Sequence, residues 1–125
     1  EKPNQLHNNC SGKHAAMLAF AKQTGADLRT YEQIENPIQQ QIFQTISEFT
    51  EIPKDEIKLG IDGCAAANFA LSLRWMARGF AKLVFPPESF ADELREACRR
   101  IVSAFMAYPE LIGGIERLDT LVMQT

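Results

Sequence analysis

The sequence predicts a mainly α fold, and three observations predict it. Apolar residues recur at the 3.6-residue period of an amphipathic helix over most of the chain. Gly, Pro and Asn fall where such helices start and stop. Only one short segment, Leu59-Gly60-Ile61, carries any strand character. No internal repeat, low-complexity tract or Gly/Ser linker interrupts the 125 residues, so 1–125 reads as a single helical domain.

The elements follow in order. A first helix is predicted over Ser11–Thr24, with Met17, Phe20 and Ala21 on one face and Gly25 as its C-terminal stop. A second starts where Asn36 caps and Pro37 takes the first helical position. Its apolar positions are Ile38, Ile42, Ile46 and Phe49, and Pro53 closes the segment. Lys58-Leu59-Gly60-Ile61-Asp62-Gly63-Cys64 fits no amphipathic pattern and reads as a tight structured loop. A third helical stretch shows Phe69, Leu73, Met76, Phe80 and Leu83. The fourth follows Pro86-Pro87, with Ser89 and Asp92 spaced like a capping box, and runs through Phe90, Leu94, Ala97, Ile101 and Phe105 to Pro109. Aromatic residues that repeat with the aliphatics are expected in the core, and Arg99-Arg100 on a solvated face.

Composition narrows the function classes. The chain is 46% hydrophobic and 23% charged, as ordinary globular domains are. Thirteen basic against sixteen acidic residues give a net charge of -3, which argues against nucleic acid as the partner. No apolar run approaches the ~20 residues of a membrane span, and no secretory signal pattern is present. Three cysteines, an odd count, point to a reducing compartment, the cytoplasm, rather than to a disulfide framework. A chain that begins at Glu1 and ends within the apolar stretch Leu121-Val122-Met123 is expected to be a fragment of a longer polypeptide. Such a fragment is expected to expose apolar surface and to form homo-oligomers.

Reactive side chains concentrate in two segments, His7-Asn8-Asn9-Cys10-Ser11-Gly12-Lys13-His14 and Asp62-Gly63-Cys64. Cys98, at helical spacing beside Leu94 and Ile101, reads as core. A phosphate loop is excluded, because His7 stands where that signature needs Gly and His14 where it needs Ser or Thr. A serine–lysine pair is excluded here too, since Cys10 occupies the serine position before Lys13. Three readings stay open. Cys10 at a helix N-terminus, near Lys13 and with His14 one turn beyond, has the makings of a cysteine hydrolase's nucleophile. Cys10, Cys64 and a nitrogen donor suit zinc, with no enzyme activity required of such a metal-binding or interaction module. Or Asn8, Asn9 and Ser11 simply cap the helix while the thiols pack inside.

The segment His7–Leu18 closely resembles the signature of the thermolabile Rhizobium-type asparaginase family. Gly60-Ile61-Asp62-Gly63-Cys64 with Asn68-Phe69-Ala70 resembles a second signature. Tyr108-Pro109-Glu110-Leu111-Ile112-Gly113-Gly114 with Arg117-Leu118-Asp119-Thr120 resembles a third. The three stand in family order over all 125 residues and correspond to the middle of the family's longer sequence. The resemblance implies the helical part of a serine β-lactamase or penicillin-binding-protein-like fold, within a larger α+β enzyme. It implies hydrolysis of L-asparagine to aspartate and ammonia. It also implies a zinc site on Cys10, Lys13 and Cys64, with Asp62 and His14 near the substrate. The family's Ser-x-x-Lys nucleophile has no counterpart in this chain. Ala16 stands where the family usually has Gly, Ala65 and Ala67 where it commonly has Gly or Ser and Pro, and Leu118 where it has an aromatic. The loop after Cys64 is accordingly expected to be less rigid.

Overall fold

Helix punctuation in the computed structural model, which describes residues 8–125, follows local chemistry. Helix α1 spans Ser11–Thr24 and stops at Gly25, whose φ of 75° lies in the left-handed region that favours glycine. The Gly25 and Ala26 N–H groups both return to the Ala21 carbonyl and satisfy the end of the helix. Helix α2 spans Pro37–Thr50 behind the N-cap Asn36, whose side chain accepts a hydrogen bond from Ile38 N–H at 3.1 Å. Asn36 Nδ2 also donates to the Asp27 carbonyl and to Thr30 Oγ1, both at 3.0 Å, so one buried amide ties the connecting loop to the helix start.

At residues 58–70 the strand character expected of Leu59-Gly60-Ile61 is realised and extended beyond expectation. These residues form a hairpin of β1 (Lys58–Ile61) and β2 (Ala67–Ala70), antiparallel with Ile61 opposite Ala67 and Lys58 opposite Ala70. Phe69 therefore sits on a strand instead of opening the third helix, and its ring packs on Phe43 with centroids 5.2 Å apart. The tight loop expected here is confined to 62–66.

The chain divides into two compact units, one through Met76 and the other from Ala77 to Thr125. In the first unit Met17, Ala21, Ile38 and Ala66 form a buried cluster, flanked by Phe20, Ala26, Tyr31, Ile42 and Cys64. Burial of Ile38 alone contributes about 2 kcal/mol. A second cluster joins Phe43, Ile52 and Ile57, with Ile34, Ile46, Phe69, Leu71 and Trp75 around it. Gln39, although polar, is buried, and its amide donates to Met17 Sδ at 2.9 Å and to the Tyr31 carbonyl at 2.8 Å. The buried amide thus remains partnered. Ala16, by contrast, is exposed, so the methyl it adds over Gly crowds nothing.

Helix α3 (Leu73–Val84) is amphipathic, yet no residue of it is buried among the described residues. Its Phe80 is exposed rather than in the core as its spacing predicts, because an apolar helix face is buried only where another layer covers it. In the second unit α4 spans Asp92–Ala107 and buries Cys98 completely, as expected. Its N-cap is Ala91, with no side-chain cap, so Ser89 and Asp92 do not form a capping box. Asp92 pairs instead with Arg95, one turn on. After a 3₁₀ turn at Pro109–Leu111, α5 (Leu118–Met123) buries Thr120. Thr120 Oγ1 lies 2.6 Å from the Gly114 carbonyl and 3.2 Å from that of Pro109. A Cβ on Gly113 would stand 2.8 Å from that hydroxyl, and Gly114 has φ 94°. The glycines of the third motif are therefore packing and turn residues. No described helix is long and apolar enough to cross a membrane.

Asn36→Ala removes the cap and two donor bonds together, so it should lower unfolding free energy by roughly 2 kcal/mol. Asn36→Ser, which restores the cap acceptor alone, should recover part of the loss. Urea denaturation followed by circular dichroism checks this; an Asn36→Ala midpoint equal to the wild type would contradict it.

Candidate metal and substrate centre

Two elements far apart in sequence supply the site. The first turn of α1 carries Cys10 as N-cap residue, then Lys13 and His14. The Cys10 side chain makes no capping hydrogen bond, and Asn8 accepts the Cys10 N–H at 2.8 Å. Of the residues that the capping reading names, Asn8 therefore holds the backbone just ahead of the helix. His7, the first residue of the motif, lies outside the described residues.

The hairpin loop carries Asp62 and Cys64. Asp62 N–H donates to the Ala66 carbonyl and Ala65 N–H to that of Asp62, both at 2.9 Å, closing the turn. Ala66, 1% exposed, inserts into the cluster with Met17, Ala21 and Ile38, which docks the loop against α1. Ala65 has φ 69°, a left-handed conformation in which a Cβ is unfavourable.

Docking brings the predicted residues together. Cys10 Sγ, Cys64 Sγ and one Asp62 oxygen lie within 4.8 Å of one another. Lys13 Nζ donates to Asp62 Oδ2 at 3.0 Å, across 49 positions of sequence. Gly63 N–H donates to Asp62 Oδ1 at 2.8 Å, and Cys64 Sγ donates to Asp62 Oδ2 at 3.5 Å. His14 contributes no donor atom to this convergence. Its Nδ1 lies 2.7 Å from the Tyr31 hydroxyl, and its Nε2 exposes no surface. Tyr31 is a site residue that sequence reasoning missed, since it belongs to no motif and falls in a loop between helices.

Electrostatics follow this geometry. The Lys13 ammonium, then the Gly63 N–H, hold the Asp62 carboxyl below the usual carboxylate range, and Asp62 in return raises Lys13. The Cys64 thiol is lowered to about 7, chiefly by the neighbouring His14 imidazole and next by the Ala66 N–H. Cys10 is raised, chiefly by hydrogen bonding with Cys64 and then by desolvation. Cys98 is raised by burial. The acidic thiol of the chain is therefore Cys64. For a Cys10 nucleophile with His14 as its base, the structure shows His14 Nδ1 engaged by the Tyr31 hydroxyl rather than by Cys10.

The arrangement can hold a divalent cation or a substrate ammonium. Two sulfurs, an amine and a carboxylate converge on one spot, and Asp62 and Lys13 keep 40% and 42% of their side chains exposed. Sulfur and nitrogen donors of this kind suit zinc. In chelator-treated protein, iodoacetamide should label Cys64 first, at a rate that climbs as pH rises through about 7, because the thiolate is the reacting form. Cys10 and Cys98 should need higher pH. Peptide mapping by mass spectrometry reads the order, and Cys10 reacting first would contradict it.

Comparison with curated proteins finds no match. A family model described as L-asparaginase II matches residues 1–125, the whole chain. With its three motifs folded as described, the chain belongs to the L-asparaginase II family.

Proposed function

We propose that this chain is the metal- and substrate-positioning part of an L-asparaginase, an amidohydrolase that converts L-asparagine and water to L-aspartate and ammonia. The observation that carries the reading is the meeting of Cys10, Lys13, Asp62 and Cys64 from two motifs of one family. Cys10, Lys13 and Cys64 would hold zinc, which when bound supplies a fixed positive charge that orients the polar end of the amino acid. Lys13 can join only as a neutral amine. The pull of Asp62 opposes that loss of a proton, so zinc uptake releases protons and strengthens with pH.

Asp62 is kept ionised by Lys13 and held in place by the Gly63 N–H, and it remains partly exposed. A carboxylate of that kind accepts charge-assisted hydrogen bonds from a substrate ammonium. Positioning of this sort lowers the entropic cost of attack at the carboxamide carbon. The attacking serine and its lysine lie on sequence outside this chain, which has no Ser-x-x-Lys, and the whole enzyme adopts a serine β-lactamase-like α+β fold in the cytoplasm. Apolar side chains such as Ile61, Leu73, Phe85 and Ile115, each at least 80% exposed, favour burial against further chain or a second copy.

Elemental analysis of purified chain tests the metal. About one zinc per chain is expected, lost in Cys10→Ala and in Cys64→Ala, by the stoichiometry of a closed thiolate site. No transition metal, or equal metal after Cys10→Ala, would overturn it. The chain alone should release no ammonia from asparagine above the buffer rate; turnover by this chain would refute a nucleophile located elsewhere.

A further inference from the structure

Two of the three thiols are brought close by the fold itself. Cys10 Sγ and Cys64 Sγ lie within 4.8 Å of each other, although their segments are far apart in sequence. Backbone contacts on both sides hold them there. Ala66 seats the hairpin loop in the α1–α2 cluster, and two backbone hydrogen bonds at 2.9 Å close that loop. At the start of α1, Asn8 accepts the Cys10 N–H at 2.8 Å, and the Cys10 carbonyl accepts the His14 N–H at 3.0 Å. A disulfide places its sulfurs about 2.05 Å apart. Rotation about the Cα–Cβ bonds of two cysteines sweeps the sulfurs over distances of the size of the gap that remains.

Access and competition favour the same pair. Cys10 and Cys64 are both partly exposed, so a small solute reaches them, whereas Cys98 is wholly buried. In an unfolded chain Cys64 would meet Cys98 more readily than Cys10, because the loop between them is shorter. The fold favours Cys10 instead. A two-electron oxidant such as hydrogen peroxide can use this proximity. One sulfur, as thiolate, attacks a peroxide oxygen; the O–O bond breaks, hydroxide leaves and takes up the thiol proton as water, and a sulfenic acid remains. The second sulfur attacks the first, the S–S bond forms as the S–O bond breaks, and a second water carries off the remaining thiol proton. Two thiols and one peroxide thus give one disulfide and two waters. Two molecules of a monothiol reverse it by exchange: the first breaks the S–S bond to form a mixed disulfide, and the second leaves with it as the monothiol's own disulfide.

We propose that Cys10 and Cys64 are a reversible redox pair: peroxide joins them in a disulfide that withdraws both sulfurs from the cation site, and a thiol reductant reopens it. The bridge stands on the geometry of the two sulfurs, while its effect on the site rests on the zinc reading above. A thiolate is the form of cysteine that binds metal, and a disulfide sulfur has none to offer, so bridging removes two of the three proposed ligands. Disulfides inside a reducing compartment are characteristically transient and redox-sensing, in keeping with a bridge that glutathione can undo.

The bridge is read first, without metal. Reduced, chelator-treated chain is exposed to a small excess of hydrogen peroxide, alkylated with iodoacetamide in urea, and mapped by mass spectrometry without reduction. The Cys10 and Cys64 peptides should emerge joined and lighter than their sum by two hydrogen atoms, from protein that runs as a monomer, with Cys98 alkylated. Dithiothreitol should separate them. Oxidation carried out in urea should instead favour a Cys64–Cys98 bridge. Cys10 and Cys64 recovered as separate sulfinic or sulfonic acids, bridges between chains, or the same Cys10–Cys64 preference in urea would overturn the proposal. Zinc titration against a chromogenic chelator then reads the switch: the reduced chain should bind zinc, the bridged chain should have lost that binding, and dithiothreitol should restore it. Zinc bound equally by the bridged chain would overturn the switch. Zinc bound by neither form would overturn the zinc reading and the switch with it, a failure distinguishable because the bridge is judged in metal-free protein.

Discussion

The centre exists because one methyl group is buried. Ala66 sits between Met17 and Ala21 of α1 and Ile38 of α2, and that contact fastens the hairpin loop to the start of α1. Cys10 and Lys13 belong to one segment and Asp62 and Cys64 to another some fifty residues away. Neither segment has local structure that would seek the other. The apolar seat for Ala66 supplies the attraction, and the short loop, closed by Asp62 and Ala65 backbone hydrogen bonds, transmits it to the reactive side chains two and four residues upstream. Non-directional burial thus sets the position, and directional polar contacts set the orientation.

Once docked, the polar groups form a graded set. Asp62 is the fixed anion and Lys13 its cation, while Cys64 is acidic and Cys10 holds its proton. A site in which one thiol ionises before the other suits a cation that must displace protons one by one. The gradient has a structural cause, since His14 and the Ala66 N–H serve Cys64 and not Cys10. Supporting this layer, Gln39 and Asn36 spend buried amides on the loop that carries Tyr31.

Much of this was legible in the sequence, for reasons that can be named. Gly25, Asn36 and Pro37 mark helix ends because backbone geometry admits few alternatives there, and each does so in the structure. Cys98 reads as core from its spacing and is wholly buried. Family resemblance, not spacing, picks Cys10, Lys13 and Cys64 out of several open readings, and the geometry brings them together. Strand β2 escaped because four residues, Ala67-Asn68-Phe69-Ala70, are too few for alternation to show, and Phe69 happens to fall in phase with α3. Phe80 misled for a different reason: periodicity reports which face is apolar, not whether anything covers it. Tyr31 and Gln39 were invisible, because their roles depend on tertiary contacts across 8 to 22 positions.

The central claim is that thiols from the α1 start and from the hairpin loop bind one and the same cation. Zinc K-edge absorption of the zinc-loaded chain tests it most directly. The account predicts two sulfur scatterers at about 2.3 Å beside nitrogen or oxygen neighbours. A shell of nitrogen and oxygen alone, or one containing a single sulfur, would contradict it.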